Sequence, residues 1–247
     1  MSRVRIAVVG ASGRMGEAIL RLAAADQSRF DVVAKVSEGE DFSTIEKFKP
    51  AVVIDFSSPA GTRALALVVA KSGSALVVGT TGLDKACEKA LADAAKSVAV
   101  FTATNMSIGV HVLNVLAERA AKMLGNDFDI EIVETHHHRK VDAPSGTALT
   151  LAKNLQNARN SESPLVHGRS GQVGARSPRE IGMHAVRGGG VIGDHTVFFF
   201  GEAERIELTH RASSRDLFAS GALRAASWVA TKSPGIYGMR DMMSEII

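Results

Sequence analysis

The chain has 247 residues, 45% of them apolar and 22% charged, the composition of a globular protein with one large or two modest domains. Its formal charge is only +3, lysine and arginine form no long run and aromatics make up 5%, so a nucleic-acid surface is not expected and a small anionic ligand suits the mild basicity better. No apolar run approaches the roughly 20 residues of a membrane span, and the single cysteine, Cys87, excludes internal disulfides and thiolate metal clusters, pointing to a cytoplasmic chain.

The N-terminus runs straight into Val4–Val9, without the apolar block and small-residue cleavage site of a secretory leader. Val4–Val9, Val32–Val36, Ala51–Phe56, Ala75–Gly79 and Val98–Thr102 are nearly continuous Val, Ile and Ala, the pattern of strands buried on both faces. Amphipathic helices are predicted at Met15–Ala25, Ala60–Lys71 and Lys85–Lys96, the last placing Cys87 on a packing face with Ala90, Leu91 and Ala94. That alternation predicts a parallel sheet with helices on both sides, one crossover being shortened through the weakly patterned stretch from Glu38 to Pro50.

After Asn105 the rhythm changes. Ile108–Leu124 predicts one long helix with Val112, Leu113, Leu116, Ala120 and Met123 on a common face. Asp127–Glu134 alternates as a strand does, and Ser145–Ala158 is a helix capped by Ser145 after Pro144. Asn160–Gly182 is rich in glycine and arginine, lacks any period and is expected to be a long loop. Met183–Arg187, His195–Phe200 and Arg205–Arg211 are strands without intervening helices, so an antiparallel or mixed sheet is expected. Asp216–Thr231 is a final helix that could return to the first domain.

Chemistry is suggested first by Gly10, Ala11, Ser12, Gly13, Arg14, Met15 and Gly16, which follow the first strand and open the first helix. The spacing is G-x-x-G-x-x-G rather than the strict G-x-G-x-x-G, but the strand–turn–helix setting is that of a loop whose backbone N–H groups approach a pyrophosphate. Gly79, Thr80 and Thr81, the loop Ala103, Thr104, Asn105 and Met106, and the loop from Phe56 to Pro59 all follow strands. They fall where open parallel sheets bind ligands, and their small polar side chains permit contact with a ribose or a nicotinamide amide.

The segment from Glu134 to Thr147 holds three consecutive histidines. Neighbours on an extended chain face opposite ways, so only His136 and His138 could converge on a metal, and no H-E-x-x-H or cysteine completes such a site. No metal is expected. His136, Lys140 and the helix N-terminus at Ser145 together supply a proton donor, positive charge and N–H groups, the elements of an anion site.

The order GASGRMG, VVIDFSSP, GTTG, TNMSIGV, ETHHHRKVDAPSGTA, VIGDH and THRASSR resembles the 4-hydroxy-tetrahydrodipicolinate reductase family along nearly the whole chain. The resemblance implies catalysis by His136 as acid/base and Lys140 as second acid, with substrate held by His137, Gly146 and Thr147 and a weaker assignment of Arg215. It implies a cofactor, NADH or NADPH, held by Gly10–Met15, Gly79–Thr81 and Ala103–Met106, a cyclic dicarboxylate as substrate, a place in diaminopimelate and lysine biosynthesis, and a homotetramer. Family members usually carry an acid, often followed by a base, just after the second strand. Here Ser37 and Glu38 stand there, so Glu38 is displaced by one place and the arginine is missing, which leaves the choice of cofactor open.

The expected fold class is therefore α/β: a Rossmann-type dinucleotide-binding domain over residues 1–107, completed by 217–247, and a mixed α+β substrate-binding and oligomerisation domain over 108–216. Val197, Phe198, Phe199 and Phe200 are apolar on both faces of their strand, which favours a neighbouring subunit over the second face, burial under the 160–182 loop being the alternative. Two other function classes stay open: another nicotinamide dehydrogenase of similar architecture, against which the His136–Thr147 segment speaks, and a non-catalytic dinucleotide sensor, which would not need that segment.

Overall fold

A computed structural model describes residues 3–160 and 162–244. The early segments rich in Val and Ile form β1 (Val4–Val9), β2 (Phe30–Val36), β3 (Val52–Asp55), β4 (Ala75–Val78) and β5 (Ala99–Thr102), alternating with α1 (Arg14–Ala25), α2 (Ser43–Phe48), α3 (Pro59–Ser72) and α4 (Lys85–Ala94). There follow α5 (Ile108–Leu124), β6 (Asp129–His136), α6 (Gly146–Ala158), β7 (Leu165–His167), β8 (Ile181–Arg187), β9 (Asp194–Phe200) and β10 (Arg205–Arg211). The chain closes with α7 (Asp216–Val229), β11 (Gly235–Tyr237) and α8 (Met239–Ser244). These elements divide into two units, one of residues up to Ile108 and from Arg215 onward, the other of Gly109–Ser214.

The first unit is built on a parallel six-stranded sheet in the order β11-β5-β4-β3-β1-β2. The strands are largely apolar because they feed two cores. Ile6, Val8, Val52, Ile54 and Phe101 pack with Ile19 of α1 and with Ala219, Ala222 and Ala226 of α7, whereas Ala7, Val9, Val53, Leu76 and Val100 pack with Leu65 and Val69 of α3 and Leu91 of α4. Helices on both faces of a parallel sheet are what such uninterrupted apolar strands require. The shortened crossover contains α2, six residues long. β11 and α8 had no periodic signal, being only three and six residues long.

The second unit is a mixed five-stranded sheet, β10-β9-β6-β8-β7, with β6 parallel to β8 and antiparallel to β9. Ile130, Ile132, Val197 and Phe199 point to the core shared with Leu113 and Ala117 of α5 and Leu151 and Leu155 of α6. Two expectations are corrected here. The inward face of α5 is Val110, Leu113, Ala117 and Ala121, whereas Val112, Leu116 and Met123 are 41%, 48% and 86% exposed. Alanines let the helix approach its neighbours closely, and that small-residue stripe outcompetes the bulkier one. The expected long loop contains β7, which pairs with β8 in parallel, and its C-terminal end already belongs to β8. A strand of three residues is too short to show a period, and the anchors of the segment are distant in sequence. Arg169 and Arg176 both donate to Glu131 on β6, and Arg176 also reaches Asp129.

Candidate functional site

In the first unit, Gly10 adopts a left-handed conformation, φ 78°, and a Cβ there would lie 2.3 Å from the Phe56 carbonyl oxygen, so only glycine fits the turn. The N–H groups of Gly10 and Ala11 donate to the Val36 carbonyl, and that of Gly13 donates to the Gly10 carbonyl. These residues therefore shape the loop, and the buried Ala11 lies beneath it. The first turn of α1, at Arg14 and Met15, has no side-chain cap. Uncapped N–H groups behind a glycine turn suit a pyrophosphate.

Two cavities flank that loop. One, of about 470 Å³, is lined by Gly10, Ser12, Gly13, Ser37, Glu38 and Glu40. The other, of about 580 Å³, is lined by Gly13, Arg14, Met15, Gly79, Thr80, Thr81, Ala103, Thr104, Asn105, Met106 and Arg215. Gly13, Phe56 and Ser57 line both, so the cavities adjoin across the glycine turn. The space is that of an extended ligand with two arms, and the donor chemistry fits a dinucleotide.

A buried carboxylate ties these loops together. Asp55, at the end of β3 and fully buried, accepts from the Ser57 N–H and hydroxyl (3.0 and 2.5 Å), from Thr62 (2.5 Å) and from Thr80 (3.2 Å). Thr80 in turn accepts from the Ser57 N–H at 3.0 Å. Burial raises the Asp55 pKa, and the four donated hydrogen bonds work against that rise. The Ser57 and Thr80 positions thus follow from one carboxylate on a strand end.

In the second unit, His136 is the last residue of β6 and buried. Its Nδ1 lies 2.5 Å from the Glu134 carboxylate, two residues back on the same strand face. Glu134 is fully buried and also accepts from the Ser145 N–H and from both Nη atoms of Arg187. Burial alone would raise the Glu134 pKa, but Arg187, His136 and the Ser145 N–H together hold it below the ordinary range. Lys140 follows in the next loop, its N–H donating to the His137 carbonyl and its ammonium paired with Asp142 at 2.8 Å. Ser145 caps α6 by accepting from the Ala148 N–H, which places Gly146 and Thr147 in the first turn. His138 is exposed beside Arg139. Among the described residues, no three of His, Cys, Asp and Glu converge in a metal-binding arrangement.

This division of the chain has a counterpart in known proteins. The model of the dihydrodipicolinate reductase N-terminus matches residues 4–106, and that of its C-terminus matches residues 109–243. The chain belongs to the dihydrodipicolinate reductase family. It is 44% identical to the 4-hydroxy-tetrahydrodipicolinate reductase of Myxococcus xanthus, with 97% of each chain covered. It is 46% identical to that of Desulfovibrio desulfuricans, covering 96% of this chain and 98% of the relative. In fold it is similar to the dipicolinate-bound dihydrodipicolinate reductase of Paenisporosarcina sp. TG-14, with TM-score 0.81 and 24% identity over 97% of this chain and 99% of that one. A more distant fold likeness, TM-score 0.57 at 14% identity, is to the DAP dehydrogenase of C. glutamicum, over 97% of this chain and 93% of that one. Members of the reductase family are oxidoreductases that use a nicotinamide cofactor.

Several residues around these sites carried no assignment in the sequence. Asp55 and Phe218 belong to the first unit's cavity and its support, and Glu40 stands beside Glu38, accepting from the Ser37 N–H at 2.6 Å. Glu134 opens the histidine segment, and its spacing from His136 could have flagged it. Arg187 and His195 come from β8 and β9; His195 ends the VIGDH segment, but neither residue was given a role.

Proposed function

We propose that this chain reduces 4-hydroxy-tetrahydrodipicolinate to tetrahydrodipicolinate, with loss of water, in diaminopimelate and lysine biosynthesis. The observation that carries the reading is the pairing of a buried, carboxylate-bound His136 with the loop of Lys140 and the capped start of α6, in a chain whose two halves match the reductase family. NADH or NADPH, when bound, would supply the hydride for the substrate's ring. His136 and Lys140 provide and relay the proton with which the hydroxyl leaves as water, so the net change is one hydride and one proton taken up and one water released. His137, Gly146 and Thr147 hold the substrate carboxylates, the N–H groups of the α6 first turn being suited to an anion. The first unit acts as the dinucleotide-binding domain and the second as the substrate-binding and oligomerisation domain. The rival reading as a non-catalytic sensor would show no turnover. The test is cofactor oxidation followed by absorbance, with substrate generated in place by the preceding synthase; absence of turnover overturns the proposal.

NADH is used at least as well as NADPH on this reading. Glu38 and Glu40 share the cavity beside the glycine loop. Carboxylates there accept from ribose hydroxyls and repel a 2′-phosphate, whereas Arg14, on the adjoining cavity, works the other way. Steady-state kinetics with both cofactors decide the matter, and strong selectivity for NADPH would sink it. The expected setting is the cytoplasm, and the expected assembly a homotetramer.

A further inference from the structure

We propose that Glu134, clamped by Arg187, is a positioning residue that fixes the tautomer of His136 and leaves its Nε2 as the nitrogen that exchanges protons. The proposal rests on the reading of His136 as the acid/base.

The local geometry starts from the strand. Glu134 and His136 share one face of β6, and the β6–β8 register sets His136 directly beside Arg187. Arg187 then forks onto the carboxylate, Nη1 to Oε2 at 2.8 Å and Nη2 to Oε1 at 2.7 Å. Oε1 also accepts from the Ser145 N–H at 3.0 Å, and Oε2 faces His136 Nδ1 at 2.5 Å. All four acceptor positions of the carboxylate are in use, which is how a fully buried charge is tolerated. A carboxylate in this state only accepts, so Nδ1 must be the donor. In the neutral ring the proton sits on Nδ1 and the lone pair on Nε2.

The far side of the ring is kept clear. A Cβ on Gly193 would come within 3.0 Å of His136 Nε2, so glycine there leaves space at that nitrogen. His195 from β9 meets the His136 ring edge-on, centroids 5.2 Å apart, and its own Nε2 is engaged with Ser145 Oγ at 3.1 Å. Burial and the neighbouring His136 push the His195 pKa down to about 4, so His195 is neutral and does not compete as an acid. The other charged groups near this pair are Lys140 in the following loop and His210 on β10, with Asp142 paired to Lys140. When His136 takes a proton the adjacent carboxylate stabilises the imidazolium; when it gives one up, the ring returns to the same tautomer.

The test is Glu134→Gln, which keeps the side chain's shape but can turn an amide N–H towards Nδ1. The expected result is a fall in kcat of roughly 10²–10⁴-fold, with NADH affinity unchanged and the pH profile of kcat/KM moved. Nitrogen NMR of His136 should show the Nδ1–H tautomer in the unaltered protein and its loss in the variant. A Glu134→Gln variant that folds, turns over normally and keeps the tautomer overturns the proposal. So does an Nε2–H tautomer in the unaltered protein, a measurement that needs no variant. His136→Ala is run in parallel: normal turnover there overturns the acid/base reading itself, and a loss there beside an indifferent Glu134→Gln overturns only the positioning role.

Discussion

His136 and Lys140 lie in the second unit, whereas every residue lining the two cavities beside the glycine loop lies in the first. Loss of either residue should therefore separate chemistry from cofactor binding. His136→Ala is expected to lower kcat by roughly 10²–10⁴-fold with little change in NADH affinity. On the proposed reading Lys140→Ala lowers kcat, and KM rises as well if its ammonium also holds a substrate carboxylate; single-turnover kinetics and cofactor titration check both. His195 makes a prediction about pH. Its folded pKa, about 4, lies below the ordinary 6.5, so the unfolded chain binds a proton here before the folded chain does. The associated stability is present above pH 6.5 and is lost as pH falls towards 4, by at most roughly 3 kcal/mol. His195→Gln should flatten the fall in unfolding free energy between pH 6.5 and 4; a slope identical to that of the unaltered chain would show that His195 is not its source.

Among the elements, α7 offers the sharpest test of packing. Gly221 is buried in its middle, and a Cβ there would lie 1.8 Å from the Met106 carbonyl oxygen. In an isolated helix Gly→Ala favours the folded state by about 1 kcal/mol. Here the obstacle is backbone, and overpacking costs roughly 1–3 kcal/mol or more, so the clash outweighs the propensity. Gly221→Ala should lower the unfolding midpoint and weaken NADH binding, because Ala103–Met106 lines the larger cavity. Thermal unfolding and cofactor titration measure both effects, and a stabilised variant with normal affinity would refute the argument. β6 shows the same dependence on neighbours. Its alternation sends Glu134 and His136 inward and Asp129 and Glu131 to the other face, where Arg169 and Arg176 hold Glu131 at a pKa of about 2 against the cost of burial.

For the whole molecule, the outer face of the second sheet bears on assembly. Phe199 is buried in the core, whereas Phe198 and Phe200 point the other way, half-buried and stacked with ring centroids 5.5 Å apart. Fully burying an exposed phenylalanine is worth roughly 1.5–3 kcal/mol, and covering what remains exposed of these two rings a part of that each, which favours a second copy of the chain against this face. Light scattering at micromolar concentration is expected to give the tetramer mass. A monomer would refute it, and Phe198→Asp should then have no effect on mass.

The βαβ rhythm of the first unit was readable in order because β1 to β5 are largely apolar on both faces and α1, α3 and α4 are long enough to show their period. The glycine turn, the loops after β4 and β5 and the histidine segment were readable for a similar reason: they are contiguous, and their chemistry is stated by residue type and spacing. What the sequence did not contain was anything set by contact between distant segments. The inward face of α5 depends on which stripe its neighbours can approach, and Ala117 and Ala121 lie there in place of Leu116 and Met123. β7 exists because β8 lies beside it, and the arginines that anchor the segment after it find Glu131 only in the folded chain. The clearest case is the candidate acid/base. His136 could be named from its motif, but the carboxylate against its Nδ1 belongs to Glu134, whose oxygens accept from Arg187 across the β6–β8 register. A periodic pattern or a local motif repeats within a few residues and is written in the chain itself; a buried carboxylate's partners are chosen by sheet pairing, which only the tertiary structure decides.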